Sequence, residues 1–275
     1  MRFASTADTT AKCRGSWSPN LFIDLVNQYE AAAEPLARIF GVLGRWGTDR
    51  KFAEAIEIIS MVTQQDSYDG VVVLLAMRTY PALLLVYAFG LGTLKAGRYD
   101  RMFALFSTRM ENPYRDTKRF LIESLFHNAW EGSDRGNWNL LPEHNSKNYK
   151  SPLSRHLRLI FSAWAADYIF LPNEVDLLFA EFELLGAFAF MSLKYDRIGV
   201  QQSLTGAQPM GQNYLWCPVG EFAWDSKTLN SIMSKWEAEP AKKQLLAAGF
   251  GHGDSESFDS MRVSLERLIG AMAWQ

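Results

Sequence analysis

The chain is short of cysteine, of net charge and of uninterrupted apolar sequence, and each shortage excludes something. Only Cys13 and Cys217 stand among 275 residues. There is no N-x-Ser/Thr acceptor, and the polar N-terminus carries Arg2, Lys12 and Arg14 without an apolar stretch. The cysteines therefore read as free thiols in a reducing, cytoplasmic setting rather than as a disulfide framework. Lys plus Arg number 28 against 30 for Asp plus Glu, a formal charge of −2. That lacks the basic excess of a nucleic-acid-binding chain, and the local runs from Arg109 to Arg119 and at Arg155 with Arg158 read as solvated helix faces. In the stretch from Val71 to Leu94, Arg78 and Pro81 break the apolar sequence. The run left after Arg78 is about 16 residues, shorter than the roughly 20 that a spanning helix needs, so a buried helix pair is expected rather than a membrane span.

Signatures of chemistry are missing too. His127, His144, His156 and His252 have no second His or Cys at ligand spacing, and neither Cys-x-x-Cys nor His-Glu-x-x-His occurs, so no metal is expected. Gly249, Gly251 and Gly253 follow a helical stretch instead of a strand, and no Lys-Ser/Thr comes after them. They read as a helix cap and linker, with Asp254 or Ser257 capping the next helix, and no cofactor is expected. No Gly-x-Ser-x-Gly elbow is present. Cys217, between Trp216 and Pro218, lacks an activating base and reads as a buried structural thiol. Of the acidic residues Glu174, Asp176, Glu181 and Glu183, the first two sit where a helix opens and its dipole favours negative charge.

What the chain does have is apolar sequence at helical spacing. Hydrophobic residues make up 48% and aromatics 13%, ample for a large core. The pattern predicts an all-α fold of packed helical hairpins, with at most one short β-hairpin near 214–224. Ser18-Pro19 reads as a cap followed by proline in the first turn. Phe22, Leu25, Tyr29, Ala32, Leu36, Ile39 and Leu43 then recur on one face, with Pro35 expected to kink or split the helix. Further helices are expected over 52–63, 80–95, 100–110, 152–170, 172–193, 226–239 and 241–248, and through Phe120, Leu121, Leu125 and Ala129. A last one places Phe258, Met261, Leu265, Leu268 and Met272 on one stripe, suited either to the chain's own core or to a partner helix. Residues 131–151, polar and without period, divide the chain into an N-terminal half, 18–130, and a C-terminal half, 152–275, after a lead-in over 1–17. The two halves can still form one domain.

Long irregular segments are where binding residues concentrate. Candidate binding residues are Trp138, His144, Tyr214, Trp216 and Trp224, in or beside the 131–151 and 199–225 segments. Their aromatic rings could anchor a partner, but nine tryptophans in one chain imply that most are buried, which favours plugs between helical layers.

The segment LLLVYAFGLGTLKAGRYDRMFALF resembles a tetratricopeptide-type helical hairpin: Gly90 matches the small position midway along the first helix, and Gly97 with Tyr99 the turn. Met102 stands where an alanine is usual, and the likeness covers roughly thirty residues, one repeat. More loosely, the YPALLL and PVGEFAW stretches resemble helical regions of bacterial multidomain NTPase or SIR2-like proteins of the phage-defence kind, although the chain has neither a nucleotide-binding nor a SIR2 signature. Together these imply a non-catalytic helical module that binds protein partners or itself. The alternatives are a sensor or effector of a defence system, and an enzyme with its site between the two halves.

Overall fold

The computed structural model describes residues 17–63, 72–111, 118–127, 130, 135–145, 147–195 and 217–273. It is all-α, with one two-stranded sheet among the described residues. The long helix α1 (Pro19–Trp46) opens as its sequence directs: the Ser18 hydroxyl accepts the Leu21 N–H at 3.2 Å, and Pro19 occupies the first turn. It runs on through Pro35 without the expected break. Helix α2 (Asp49–Thr63) returns along it. A short α3 (Val72–Ala76) and a 3₁₀ turn lead into α4 (Tyr80–Lys95), which is buried along its whole length except at Lys95. Gly97, at φ +68°, closes α4 where a side chain would be strained, and α5 (Tyr99–Ser107) follows.

Helix α4 is the hub. Helices α1, α2, α5 and α10 (Val175–Lys194) all pack on it. Against α1 the approach is backbone to backbone: a Cβ on Gly44 would stand 2.2 Å from the Phe89 carbonyl oxygen, and one on Gly92 2.1 Å from that of Gly41. The Phe182 ring of α10 occupies the space beside Gly90. By length and composition Leu74–Lys95 could cross a bilayer, yet 89% of its apolar window is buried within the chain.

The glycine contact sets which way α1 faces. Ala33, Ala37, Phe40, Gly41 and Gly44 turn inward, while Ile39, placed on the inward stripe by its spacing, is 54% exposed. Hydrophobic periodicity gives glycine no weight, yet here the two glycines allow the closest approach and pull the face round to themselves.

A second departure follows α5. In place of a helix running to Met110 and another beginning at Phe120, strands β1 (Arg109–Glu111) and β2 (Lys118–Phe120) pair antiparallel, with Arg109 opposite Phe120 and Glu111 opposite Lys118. The Arg109 guanidinium lies 3.7 Å over the Phe120 ring, and Lys118 pairs with Glu111 at 3.2 Å. Only the short α6 (Leu121–Ser124) comes after. The one sheet among the described residues is thus here; in the 214–224 segment residues 214–216 lie outside the described residues, and Glu221–Trp224 form a 3₁₀ turn.

Helix α7 (Arg135–Trp138) lies within the 131–151 segment. Helix α8 (Pro152–Trp164) breaks at Ala165, and the short α9 (Ala166–Ile169) ends at Phe170 in a left-handed conformation, φ 67°. Helices α11 (Ser226–Glu237), α12 (Glu239–Ala248) and α13 (Ser255–Ala273) complete the chain. Phe258, Met261 and Leu265 of α13 are fully buried in the chain's own core, with the Phe258 ring 4.9 Å from that of Phe188. Asp254 caps α13, accepting the Ser257 N–H at 2.8 Å. One apolar cluster extends from Phe22 to Ile269, so both halves share a core.

Candidate functional site

Two features stand out as more than packing: a buried polar cluster between the halves and an exposed aromatic face on α1. The cluster is assembled from four elements. Tyr87 comes from α4, His127 from the turn after α6, Ser154 from the first turn of α8 and Glu183 from the middle of α10. All four are buried. The Tyr87 hydroxyl stands 2.7 Å from His127 Nδ1 and 3.1 Å from Glu183 Oε1, and the Ser154 hydroxyl donates to Glu183 Oε2 at 2.7 Å.

Burial decides the charges. It raises the Glu183 carboxyl to about 8, against the Ser154 and Tyr87 hydrogen bonds. It lowers His127 to about 3, with the nearby Val219 carbonyl working the other way. At neutral pH both are therefore uncharged. A tyrosine hydroxyl has one proton to give. Given to His127 at the shorter distance, it leaves the 3.1 Å contact to the proton that Glu183 retains. The result is a closed neutral network. It is not a hydrolytic triad, because Ser154 bonds an already protonated acid and no base receives its proton.

A strap covers this cluster. Residues 217–220 run without helical structure before the 3₁₀ turn, with Gly220 extended at φ −93° and ψ −162°. A Cβ on Gly220 would lie 1.6 Å from Glu183 Oε2 and 2.7 Å from Ser154 Oγ, so only glycine fits there. The Glu221 N–H donates to Ser154 Oγ at 2.8 Å. The Glu221 carboxylate accepts from Arg155 Nη1 at 2.6 Å and Arg158 Nε at 2.8 Å, and Arg158 also reaches Asp176. Cys217, at the head of the strap, is a buried free thiol pushed up to about 12 by burial.

Two further ionic clusters are structural clasps. His156 lies between Glu143 and Glu30, its ring nitrogens 2.5 Å from each carboxylate, and Tyr80 donates to Glu30 at 2.7 Å. Burial alone would lower His156, but the two carboxylates outweigh it and raise the imidazole to about 9, so it is an imidazolium at neutral pH. It joins α1, α8 and the Pro142–His144 turn. Buried Glu181 accepts from Lys235 at 2.7 and 2.8 Å.

The aromatic face is on the outside. Ile39, Val42 and Trp46 share one side of α1, and Trp46 is 50% exposed. Its ring lies 5.7 Å from that of Phe170, itself 58% exposed and followed by exposed Leu171. The Arg45 guanidinium stands 4.5 Å over the Trp46 ring and 4.8 Å over that of Phe170, held by its hydrogen bond to the Tyr168 carbonyl.

The residues singled out from the sequence fall elsewhere. Trp138 is fully enclosed, its ring 5.2 Å from those of Phe22 and Tyr80 and 5.6 Å from His156, so it plugs the layers. His144 is buried behind it, Nδ1 2.9 Å from the Trp138 carbonyl oxygen. Trp224 is partly exposed under the Lys150 ammonium, 4.3 Å over its ring. Tyr214 and Trp216 lie outside the described residues. Sequence reading passes over Trp46 and Phe170 because each ends a helix, where an apolar residue looks like the last member of a buried stripe. Among the described residues, no group of three or more His, Cys, Asp or Glu is placed to hold a metal ion. Compared with known proteins, the chain matches no family model, no curated protein and no solved structure.

Proposed function

We propose that this chain is a helical interaction module of the cytoplasm, and that it meets its partner through the face formed by Ile39, Val42 and Trp46 with Phe170 and Leu171. The observation that carries this reading is the outward Trp46–Phe170 pair with Arg45 stacked on both rings. Tryptophan, other aromatics and arginine are the residues that dominate binding energy at protein interfaces. Full burial of a large apolar side chain is worth roughly 1.5–3 kcal/mol over full exposure, and with Trp46 and Phe170 half-exposed a docked partner would recover part of that for each ring. The left-handed backbone at Phe170 adds to this: a non-glycine residue in that region is strained, and here the strain presents a ring to solvent instead of burying it.

The test is native mass spectrometry of the purified chain over a range of concentrations, with and without extract of its host, repeated for Trp46→Asp combined with Phe170→Asp. Both rings are on the outside, so the double variant keeps the helical circular dichroism of the parent. The expected result is an assembly, with itself or with a protein from the extract, that the double variant loses. A parent that remains a bare monomer throughout, or assemblies that the double variant retains, would overturn the reading.

A further inference from the structure

The strap makes the contacts of a bound ligand. We propose that the site beneath Val219–Glu221 is a receptor for an acidic peptide of a partner protein, and that the chain's own strap occupies it in the described state. This inference stands apart from the aromatic face of α1, and neither depends on the other.

Four observations carry it. First, the receiving groups sit on two rigid helices, whereas the segment received is not α-helical: Arg155, Arg158 and Ser154 project from α8 and Glu183 from α10, while Gly220 is extended and Glu221 opens a 3₁₀ turn. Second, the Glu221 carboxylate is gripped from two sides, by Arg155 Nη1 at 2.6 Å and Arg158 Nε at 2.8 Å, while its N–H is taken by Ser154 Oγ at 2.8 Å. Two arginines on one carboxylate together with a backbone contact form the recognition pattern for an acidic residue within a peptide. Third, the floor under the strap is polar and closed on itself through Glu183, Tyr87 and His127. The floor meets the strap's backbone where Ser154 Oγ accepts the Glu221 N–H at 2.8 Å and where His127 faces the Val219 carbonyl. Fourth, Gly220 defines the selectivity. Its absent side chain lets the strap lie flat on the Glu183 carboxyl, and buried Val219 and Phe222 flank it. The site therefore selects the order apolar–glycine–acidic–apolar.

An occupant tethered in the same chain competes at a high effective concentration, so a free peptide meets the parent protein weakly. Two variants of the full chain release the strap. Gly220→Ala puts a methyl group onto the Glu183 carboxyl, and its φ and ψ suit alanine, so the clash alone expels the strap. Glu221→Gln removes the charge held by the two arginines.

The probe is the peptide acetyl-Pro-Val-Gly-Glu-Phe-Ala-Trp-amide, with a Gln-for-Glu version as control, titrated by calorimetry. Hydrogen exchange reports on residues 218–224. In any variant that keeps the parent's helical signal, exchange over 218–224 should rise, and the Glu peptide should bind about tenfold or more tighter than it does to the parent. The Gln peptide should bind at least about tenfold more weakly than the Glu peptide, since it lacks the charge the arginines hold. The proposal is overturned if neither variant gains affinity for the peptide, if both lose their helical signal, or if the Gln peptide binds as well as the Glu peptide.

Discussion

A carboxyl group buried without a counter-charge keeps its proton, and a buried imidazole without one gives its proton up. Glu183 and His127 do both at 3.2 Å from each other, whereas His156, equally enclosed but between two carboxylates, stays charged. These groups give stability a particular pH dependence. Glu183, raised to about 8, and His156, raised to about 9, both hold protons in the folded chain beyond the pH at which the unfolded chain releases them. Their contributions are complete below the unfolded values and are lost as pH rises towards 8 and 9. His127, lowered to about 3, acts oppositely: its contribution is present above about 6.5 and is lost on acidification. The melting temperature should therefore fall by roughly 5–10 °C between about pH 6.5 and 9. Glu183→Gln, which keeps the shape and hydrogen-bonding capacity of the side chain but cannot ionise, should lose less over the same range. Calorimetry on both proteins checks this. A Glu183→Gln slope as steep as the parent's would show that Glu183 is ionised from neutral pH onward. None of these protonation states can be read from residue spacing, because each depends on groups brought from helices far apart in sequence.

At the level of the element, the α1–α4 crossing decides more than any other contact. Alanine at position 44 would raise helix propensity by about 1 kcal/mol. Its methyl group, however, would stand 2.2 Å from the Phe89 carbonyl oxygen, a backbone atom that cannot turn aside. The clash wins: Gly44→Ala should cost at least about 3 kcal/mol, read as a lower urea midpoint at unchanged slope. Helix α13 supplies a second case. Its stripe could have served a partner, but Leu265 is fully enclosed by the chain itself. Leu265→Asp should therefore cost the fold several kcal/mol, visible as a loss of helical circular dichroism, instead of changing the mass of an intact protein. Element by element, helix starts are the most legible feature, because Ser18-Pro19, Pro152 and Pro172 act within one turn. The pairing of β1 with β2 is not legible, since strands of three residues are too short to show a period. Spacing misplaces Ile39 on α1 because glycine carries no hydrophobic signal.

Across the molecule, a shared core binds both halves, and α4 is covered by the chain's own helices on all sides. With no lipid-facing surface on that helix, the protein expressed without detergent should stay in the supernatant after high-speed centrifugation; its appearance in the membrane pellet would mean that α4 leaves the core. That the chain is all-α, that the apolar stretch holds buried helix over Leu74–Leu94, and that Cys217 is a buried thiol could all be read from the order of residues. Those properties follow from composition, local caps and apolar spacing, which act over a few residues. It took the packed chain to make Trp138 a plug and Trp46 a surface, and to bring Tyr87, His127, Ser154 and Glu183 together under a glycine. Such outcomes depend on where backbones can approach and which distant groups share a low-dielectric space, and neither is a property of any single stretch of chain.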